Sequence, residues 1–444
     1  MNYPLKTRRE FLRTTLLGGA LTWTVPSFLA QTFAALGAEA ADRATQLVTG
    51  KDSPILVVLQ MAGGNDGLNT VIPYTNDHYF RARPRLGVKA DTVLKLDDQV
   101  GLHPGLQRFQ ALYDAGHLAV LQGVGYPNPN RSHFRSTEIW QTASDANRVE
   151  KYGWIGRYFD NCCRGADPTV GVAIGAQMPQ AFAAQTPTGI ALQNPRAYRL
   201  GSGDPESGKR NPLDQSLRDM NQPPPDLAPS PEDDSGATIG AVTGKPRLAG
   251  SVLDYVERVA LDAEVSSDEI GRITQQVRNL ASYPASPLAN GLKQIARLIG
   301  GGLPTRIYYV SQGGYDTHTN QVGTQARLLQ DLGDSVKAFV DDLQAQGNFQ
   351  RVLLLTFSEF GRRVTENANG GTDHGAAAPM FVVGPRIKAG LLGRYPSLAP
   401  EDLFNGDLKY TTDFRRVYAA VLDRWLKTPS EPILGRKFEP VALM

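Results

Sequence analysis

Arg351 to Gly384 reads RVLLLTFSEFGRRVTENANGGTDHGAAAPMFVVG. Its first apolar run, Val352 to Phe357, has strand length and β-favouring residues. It empties into a Gly-rich polar loop carrying Ser358, Glu359, Arg362, Asp373 and His374, and a second apolar run, Met380 to Val383, follows. Two core strands therefore flank a polar loop. In an open parallel sheet a ligand lies beyond the carboxyl ends of the strands, which is where such a loop sits. Alone, the loop reads equally well as a solvated connection.

Three further strand-like runs end in the same way. Pro54 to Met61 (PILVVLQM) leads into Gly63-Gly64-Asn65-Asp66-Gly67-Leu68-Asn69. Glycine there admits close backbone approach and Asp66 offers a hard oxygen, although in isolation the segment reads as a tight turn. His117 to Val124 (HLAVLQGV) leads to Arg131-Ser132-His133-Phe134-Arg135-Ser136, ahead of a helical pattern through Glu138, Ile139 and Trp140. A hydroxyl at a helix start is an ordinary cap. The same position can hold an anion or activate a nucleophile, and Arg131, His133 and Arg135 crowd it with oxyanion partners. Arg306 to Val310 (RIYYV) leads to Asp316-Thr317-His318.

Amphipathic patterns over Leu106 to Tyr113, Ser251 to Leu280, Leu288 to Ile299, Gln325 to Gln344 and Asp413 to Lys427 alternate with these runs. Strands alternating with helices give an α/β fold, a mainly parallel sheet with helices on both faces. All four polar loops then emerge along one edge. Carboxylates, histidines and a capping hydroxyl gathered there suit metal-assisted phosphoryl or sulfuryl transfer, with an arginine holding the anion. His78, His103 and His117 fall outside the loops and read as surface or capping residues.

Among 444 residues the formal net charge is only +2, which gives no reason to expect nucleic-acid binding. Thr7-Arg8-Arg9-Glu10-Phe11-Leu12-Arg13 is a twin-arginine pattern, followed by a mildly apolar run and a small-residue exit. The run holds Gly18, Gly19 and Pro26, unlike a spanning helix of about 20 strongly apolar residues. Residues 1–40 are therefore expected to be a Tat signal cleaved near Ala40, with Ala30 a second site. The expected location is the periplasm or cell envelope, reached through the Tat translocon. The Pro-, Asp- and Ser-rich stretch 201–246 reads as a disordered insertion in a single domain spanning 41–444. Cys162 and Cys163 are adjacent, so no disulfide is expected to staple the core.

GGNDGLNTVIPY, RSHFRSTEIWQT, GGYDTHTNQ, TFSEFGRRVTENANGGTDHGAAAPMFVVG and the closing DFRRVYAAVL together resemble the Tat-exported bacterial family of domain of unknown function 1501. The likeness covers nearly the whole mature chain. That family is similar in turn to the alkaline phosphatase and sulfatase superfamily, whose members bind two metals at the strand ends of an α/β sheet. The resemblance implies an alkaline-phosphatase-like fold and divalent metal ions, with zinc, magnesium, calcium and manganese all open. Asp66, Asp316, His318, Glu359, Asp373 and His374 become the metal-ligand candidates. Ser132, or else Ser136, takes the nucleophile's place at a helix start; His133 stands beside it, and Arg135 or Arg362 would bind the anion.

Two registers fit the opening stretch. In one, Asp373-His374-Gly375 is the superfamily's Asp-His-Gly pair. In the favoured other, Glu359-Phe360 takes an Asp-His place directly after the strand, His374 comes later, and Phe360 replaces a ligand. Asp316 and His318 stand two residues apart, where alkaline phosphatases use four, and Asn320 occupies the more distant position. No Cys-x-Pro-x-Arg sequence is present, which disfavours a formylglycine sulfatase. The expected function is an exported metal-dependent hydrolase of anionic phosphate or sulfate esters. The alternative is a non-catalytic envelope binding or assembly protein with an exported protein partner.

Overall fold

The computed structural model describes residues 53–163, 166–186, 188–192 and 269–444. The twin-arginine segment, the stretch 201–246 and the larger part of the 251–280 helical pattern lie outside them. By contacts the chain divides into Thr45–Arg196 with Glu269–Met444, which holds every described residue, and Met1–Ala44 with Ala197–Asp268, which holds none. Among the described residues no helix is long and apolar enough to cross a membrane.

Strand β1 (Ile55–Met61) is buried at every position, as a run without polar alternation must be when both sheet faces are covered. It lies inside a nine-stranded sheet with β2 (Leu118–Gly125), β3 (Gly171–Ile174), β4 (Ile190–Leu192), β5 (Ile307–Gln312), β6 (Val352–Phe357), β7 (Ala378–Val383), β8 (Gly390–Leu392) and β9 (Thr412–Asp413). The order is β8-β2-β7-β6-β1-β5-β3-β4, with β9 beside β2. Leu56 pairs with Ile307 on one side and Leu353 on the other, both in parallel register. Only β7 runs antiparallel to its neighbours β2 and β6. That reversal places the segment entering β7 at the same sheet edge as the segments leaving β1, β2, β5 and β6.

Leu56, Val58, Ile307, Tyr309, Leu353, Leu355 and Met380 face a core shared with helices α2 (His133–Thr142), α3 (Trp154–Cys162) and α6 (Phe414–Ala420). The alternate residues Ile55, Val57 and Leu59 are equally buried. Helix α5 (Gln321–Ala345) packs on both α1 (Gln107–Asp114) and α4 (Pro287–Gly300), with α1 against β2 and α4 against β5. Trp140 of α2 stacks on Phe414 and Phe357, with ring centroids 4.3 and 5.5 Å away. Its Nε1–H donates to the Glu359 carbonyl at 2.9 Å, fixing α2 beside the exit of β6.

Cys162 and Cys163, although adjacent, are joined by a disulfide. Cys162 ends α3 and Cys163 leaves helical geometry at φ −135°, which lets the neighbouring sulfurs meet. With a sequence separation of 1 the bond closes no loop and does not staple the core.

Glycine is required where the exits of β1 and β5 touch. Gly63 has φ +120°, and a Cβ there would come within 2.4 Å of the Asp316 amide nitrogen. Gly63→Ala should destabilise the protein by at least about 1–3 kcal/mol from backbone strain alone. A lowered denaturation midpoint at unchanged m-value is the expected reading; an unchanged midpoint would contradict the contact.

Candidate metal centre

Each loop at this edge is held by hydrogen bonds to another. The Ser358 hydroxyl, just after β6, donates to the Met61 carbonyl at 2.7 Å and accepts from the Asn65 amide at 2.8 Å. Arg362 and His374 form an antiparallel bridge, and the Arg363 amide donates to the Asp373 carbonyl at 3.0 Å. The two sides of the loop between β6 and β7 are thereby joined across the twelve positions from Arg362 to His374.

Asp316, in the loop after β5, is the focus. Its Oδ1 lies 3.1 Å from Nε2 of both His318 and His374, and its Oδ2 lies 3.4 Å from His133 Nε2. His318 Nε2 and His374 Nε2 are themselves 2.9 Å apart. His133, Asp316 and His374 can each offer a ligand atom with all three atoms within 4.8 Å of one another.

The opposite ring nitrogens each face an acceptor as well. His133 Nδ1 faces Glu359 Oε1 at 3.0 Å, His318 Nδ1 faces Asp373 Oδ1 at 3.1 Å, and His374 Nδ1 faces the Arg131 carbonyl at 2.8 Å. Ionised carboxylates and carbonyls only accept, so a cation taking the place of the Nε2 protons at Asp316 would leave each neutral imidazole with its proton on Nδ1. Three Nε2 lone pairs would then converge beside one carboxylate. A cation is what such an arrangement stabilises, and imidazole nitrogens with carboxylate behind them form the usual surroundings of a first-row divalent metal.

Glu359 is 2% exposed and accepts from the Gly63 amide at 2.8 Å as well as from His133. Its Oε2 is buried without a hydrogen-bond partner among the described residues. Asp373 is more exposed; a hydrogen bond from Asn367 is the main cause that lowers its pKa, against partial desolvation and with help from His318. Asp316 is held down to about 2: partial desolvation raises it, but hydrogen bonds from Arg362 and His374 and the charges of Arg362 and His318 outweigh that.

The remaining expected site residues are committed elsewhere. Asp66 is fully buried and paired with Arg83 at 2.6 Å, and it also accepts from Gln321 and the Asn69 amide, so its carboxylate supports the β1 exit loop. Ser136 is buried, donating to the Asn130 carbonyl at 2.5 Å beside the Tyr126 hydroxyl, which removes it as an accessible nucleophile. Arg135 pairs with Glu138 at 2.8 Å and donates to the carbonyls of Asp145, Ala146 and Arg148. Arg362 is buried and donates to the carbonyls of Gly63, Gly64, Tyr315 and Thr372 and to Asp316. Neither guanidinium is free to clasp an anion. Ser132 caps α2 with an exposed side chain that makes no capping bond. Asn320 turns the chain into α5 at φ +47°.

Residues 54–435 match the family model described as Protein of unknown function (DUF1501). The chain belongs to that family. No curated protein matches it. Three solved structures similar to this DUF1501 protein are a periplasmic domain from Escherichia coli, a protein of the alkaline phosphatase superfamily from Vibrio parahaemolyticus and a sulfatase from Pseudoalteromonas sp.. The first, the C-terminal domain of EcEptC in complex with Zn, is 11% identical over 77% of this chain and 75% of its own, with TM-score 0.33. The Vibrio protein is 9% identical over 83% and 71%, with TM-score 0.32. The sulfatase, PsFucS1, is 10% identical over 94% and 77%, with TM-score 0.33. At these scores the likenesses bear neither on the arrangement of this site nor on its chemistry.

In this DUF1501 protein several supporting residues carried no signal in the sequence. Arg83 sits in an ordinary basic stretch, yet it donates to the Val364 and Arg363 carbonyls as well as to Asp66. Asn367 holds Asp373 and the His318 carbonyl from inside what reads as a turn. The carbonyl of Arg131 is a backbone atom that no side-chain motif could announce.

Because the Asp66–Arg83 pair is buried on both sides, Asp66→Ala should cost about 3–5 kcal/mol by stranding the guanidinium. Chemical denaturation checks that loss, and the metal content of the folded fraction should not change; selective metal loss at full stability would instead make Asp66 a ligand. For the metal-free protein, the depressed Asp316 pKa contributes stability that is complete above the unfolded value of about 3.9. That contribution is lost as pH falls through about 2. Asp316→Asn should accordingly flatten the acid limb of the stability curve between these values, whereas parallel limbs would refute the assignment.

Proposed function

We propose that this protein is an exported metal-dependent hydrolase of phosphate or sulfate esters, with a divalent cation held by His133, Asp316, His318 and His374. The observation that carries the reading is the convergence of three Nε2 atoms on the Asp316 carboxylate, each ring held from behind by an acceptor. The buried Oε2 of Glu359, without a partner, fits the same picture of a site built around positive charge. A bound divalent cation supplies Lewis acidity, drawing charge from an ester oxygen and favouring ionisation of a nearby hydroxyl.

The protein's own groups supply the rest. Glu359 and Asp373 retain the Nδ1 protons of His133 and His318 and keep the Nε2 lone pairs aimed inward. Arg362 fixes Asp316 and keeps it ionised. Ser132, one residue before His133 at the start of a ten-residue helix, is the nucleophile in this reading. With Arg135 and Arg362 engaged, the partial positive charge of the α2 N-terminus takes their place in facing the anionic ester.

That same engagement of both arginines favours a second reading, an envelope binding protein that keeps the centre without turnover. Metal analysis of the exported chain, coupled to hydrolysis of 4-nitrophenyl phosphate and sulfate, separates the two. The hydrolase should bind a stoichiometric divalent ion, lose it in His318→Ala and His374→Ala, and lose ester turnover with it. In Glu359→Gln the metal affinity should fall about 10–100-fold. Metal bound with no turnover of either ester would leave the binding protein; neither metal nor turnover after adding zinc, manganese, magnesium or calcium would overturn both.

A further inference from the structure

Beside the centre lies a cavity of about 400 Å³ lined by Tyr126, Pro127, Phe360, Phe404, Leu408 and Tyr410, among others. Its size falls within the range of small-molecule sites. Phe360 is the wall it shares with the centre. The ring centroid of Phe360 is 4.9 Å from that of His133 and 4.5 Å from that of His374. The ring cannot swing away from the imidazoles through the β1 exit loop. A Cβ on Gly64 would already approach Phe360 Cε2 within 2.2 Å, and the Arg362 guanidinium stands 5.9 Å from the ring centroid.

The far lip of the cavity is tied to the same centre. The side chain of Arg131 donates through Nε to Asp407 Oδ2 at 2.8 Å, while its carbonyl accepts from His374 Nδ1. Asp407 in turn closes a backbone turn with Phe404, with both N···O distances 3.0 Å. Phe404 and Tyr410 are left 48% and 38% exposed at the cavity. Two aromatic side chains kept in water at the mouth of a mostly apolar cavity mark a place where an apolar group docks. The Tyr126 hydroxyl is bonded to Ser136 and the Asn130 amide, so its ring is what it offers a ligand. Lys409 adds positive charge at the rim, suited to an anionic compound.

We propose that this cavity binds an aromatic ring, and specifically the aryl group on the leaving oxygen of the ester, while the anionic ester group lies on the imidazole side of Phe360. The assignment of the ring to an ester rests on the hydrolase reading above. A lining of Tyr126, Phe360, Phe404 and Tyr410 with rigid Pro127 favours an aromatic occupant over a flexible chain. A cavity of this volume has room for more than the single benzene that a dry pocket of about 150 Å³ accepts.

The test uses the full chain and four proteins: wild type, a Phe404→Ala/Tyr410→Ala variant, His318→Ala and Lys409→Ala. Binding of uncharged 2-naphthol is measured by calorimetry, and kcat/KM is compared between 2-naphthyl and methyl esters of phosphate and sulfate. Naphthol should bind wild type and His318→Ala alike, and at least about tenfold more weakly in the double variant. The preference for naphthyl over methyl esters should shrink in the double variant by a similar factor. Lys409→Ala should weaken the anionic naphthyl esters and leave naphthol itself unaffected, a readout that does not depend on removing rings. Equal turnover of naphthyl and methyl esters without naphthol binding overturns the proposal and leaves the hydrolase standing. Naphthol binding with no ester turnover in wild type overturns the assignment to an ester and sinks the hydrolase reading with it.

Discussion

The guanidinium of Arg362 ties together the loops that leave β1 and β5 and the loop that enters β7. From full burial it donates to carbonyls at Gly63 and Gly64 after β1, at Tyr315 after β5 and at Thr372 before β7, and then to the Asp316 carboxylate. A charge taken out of water is costly unless every donor is answered, and here four carbonyls and a carboxylate answer it. Asp316 is consequently fixed in place and kept ionised to about pH 2. Everything proposed for the centre depends on that one fixed negative charge, since it is what His133, His318 and His374 gather around.

Strand direction is the second constraint. Continuous apolar runs made β1, β2, β5, β6 and β7 legible, because a strand buried on both faces has no polar alternation to hide. The loops leaving β1, β2, β5 and β6 were also predicted to share an edge, and the strand directions bear this out. Direction was not legible for β7. An apolar run reads the same both ways, yet the antiparallel placement of β7 is what returns His374 to the edge where Asp316 and His133 lie. Of the two registers weighed for the 351–384 stretch, neither describes the outcome fully: His374 faces Asp316 directly, while Glu359 and Asp373 stand behind His133 and His318.

The fates of individual polar side chains were the least legible part. Asp66 and Arg362 look like chemistry in the sequence because a carboxylate or a guanidinium in a Gly-rich loop can serve a ligand. Whether it does depends on distant partners: Arg83 and Gln321 for Asp66, and the carbonyls of three loops for Arg362. Histidines were more informative, since all three in the exit loops reach the centre. Their ring orientation came only from the structure, through Nδ1 contacts to Glu359, Asp373 and the Arg131 backbone. Phe360 shows the limit from the other side: read as a missing ligand, it instead forms an apolar partition between the imidazoles and the neighbouring cavity.

X-ray absorption at the metal edge of the zinc-loaded full chain tests the central claim most directly, because it reports ligand type without requiring turnover. The account predicts imidazole scattering from His133, His318 and His374 with a carboxylate oxygen from Asp316, at the usual distances of about 2.0–2.2 Å. Loss of one imidazole contribution in each single His→Ala variant would follow. A shell of oxygen alone, or imidazole scattering untouched by all three variants, would contradict it.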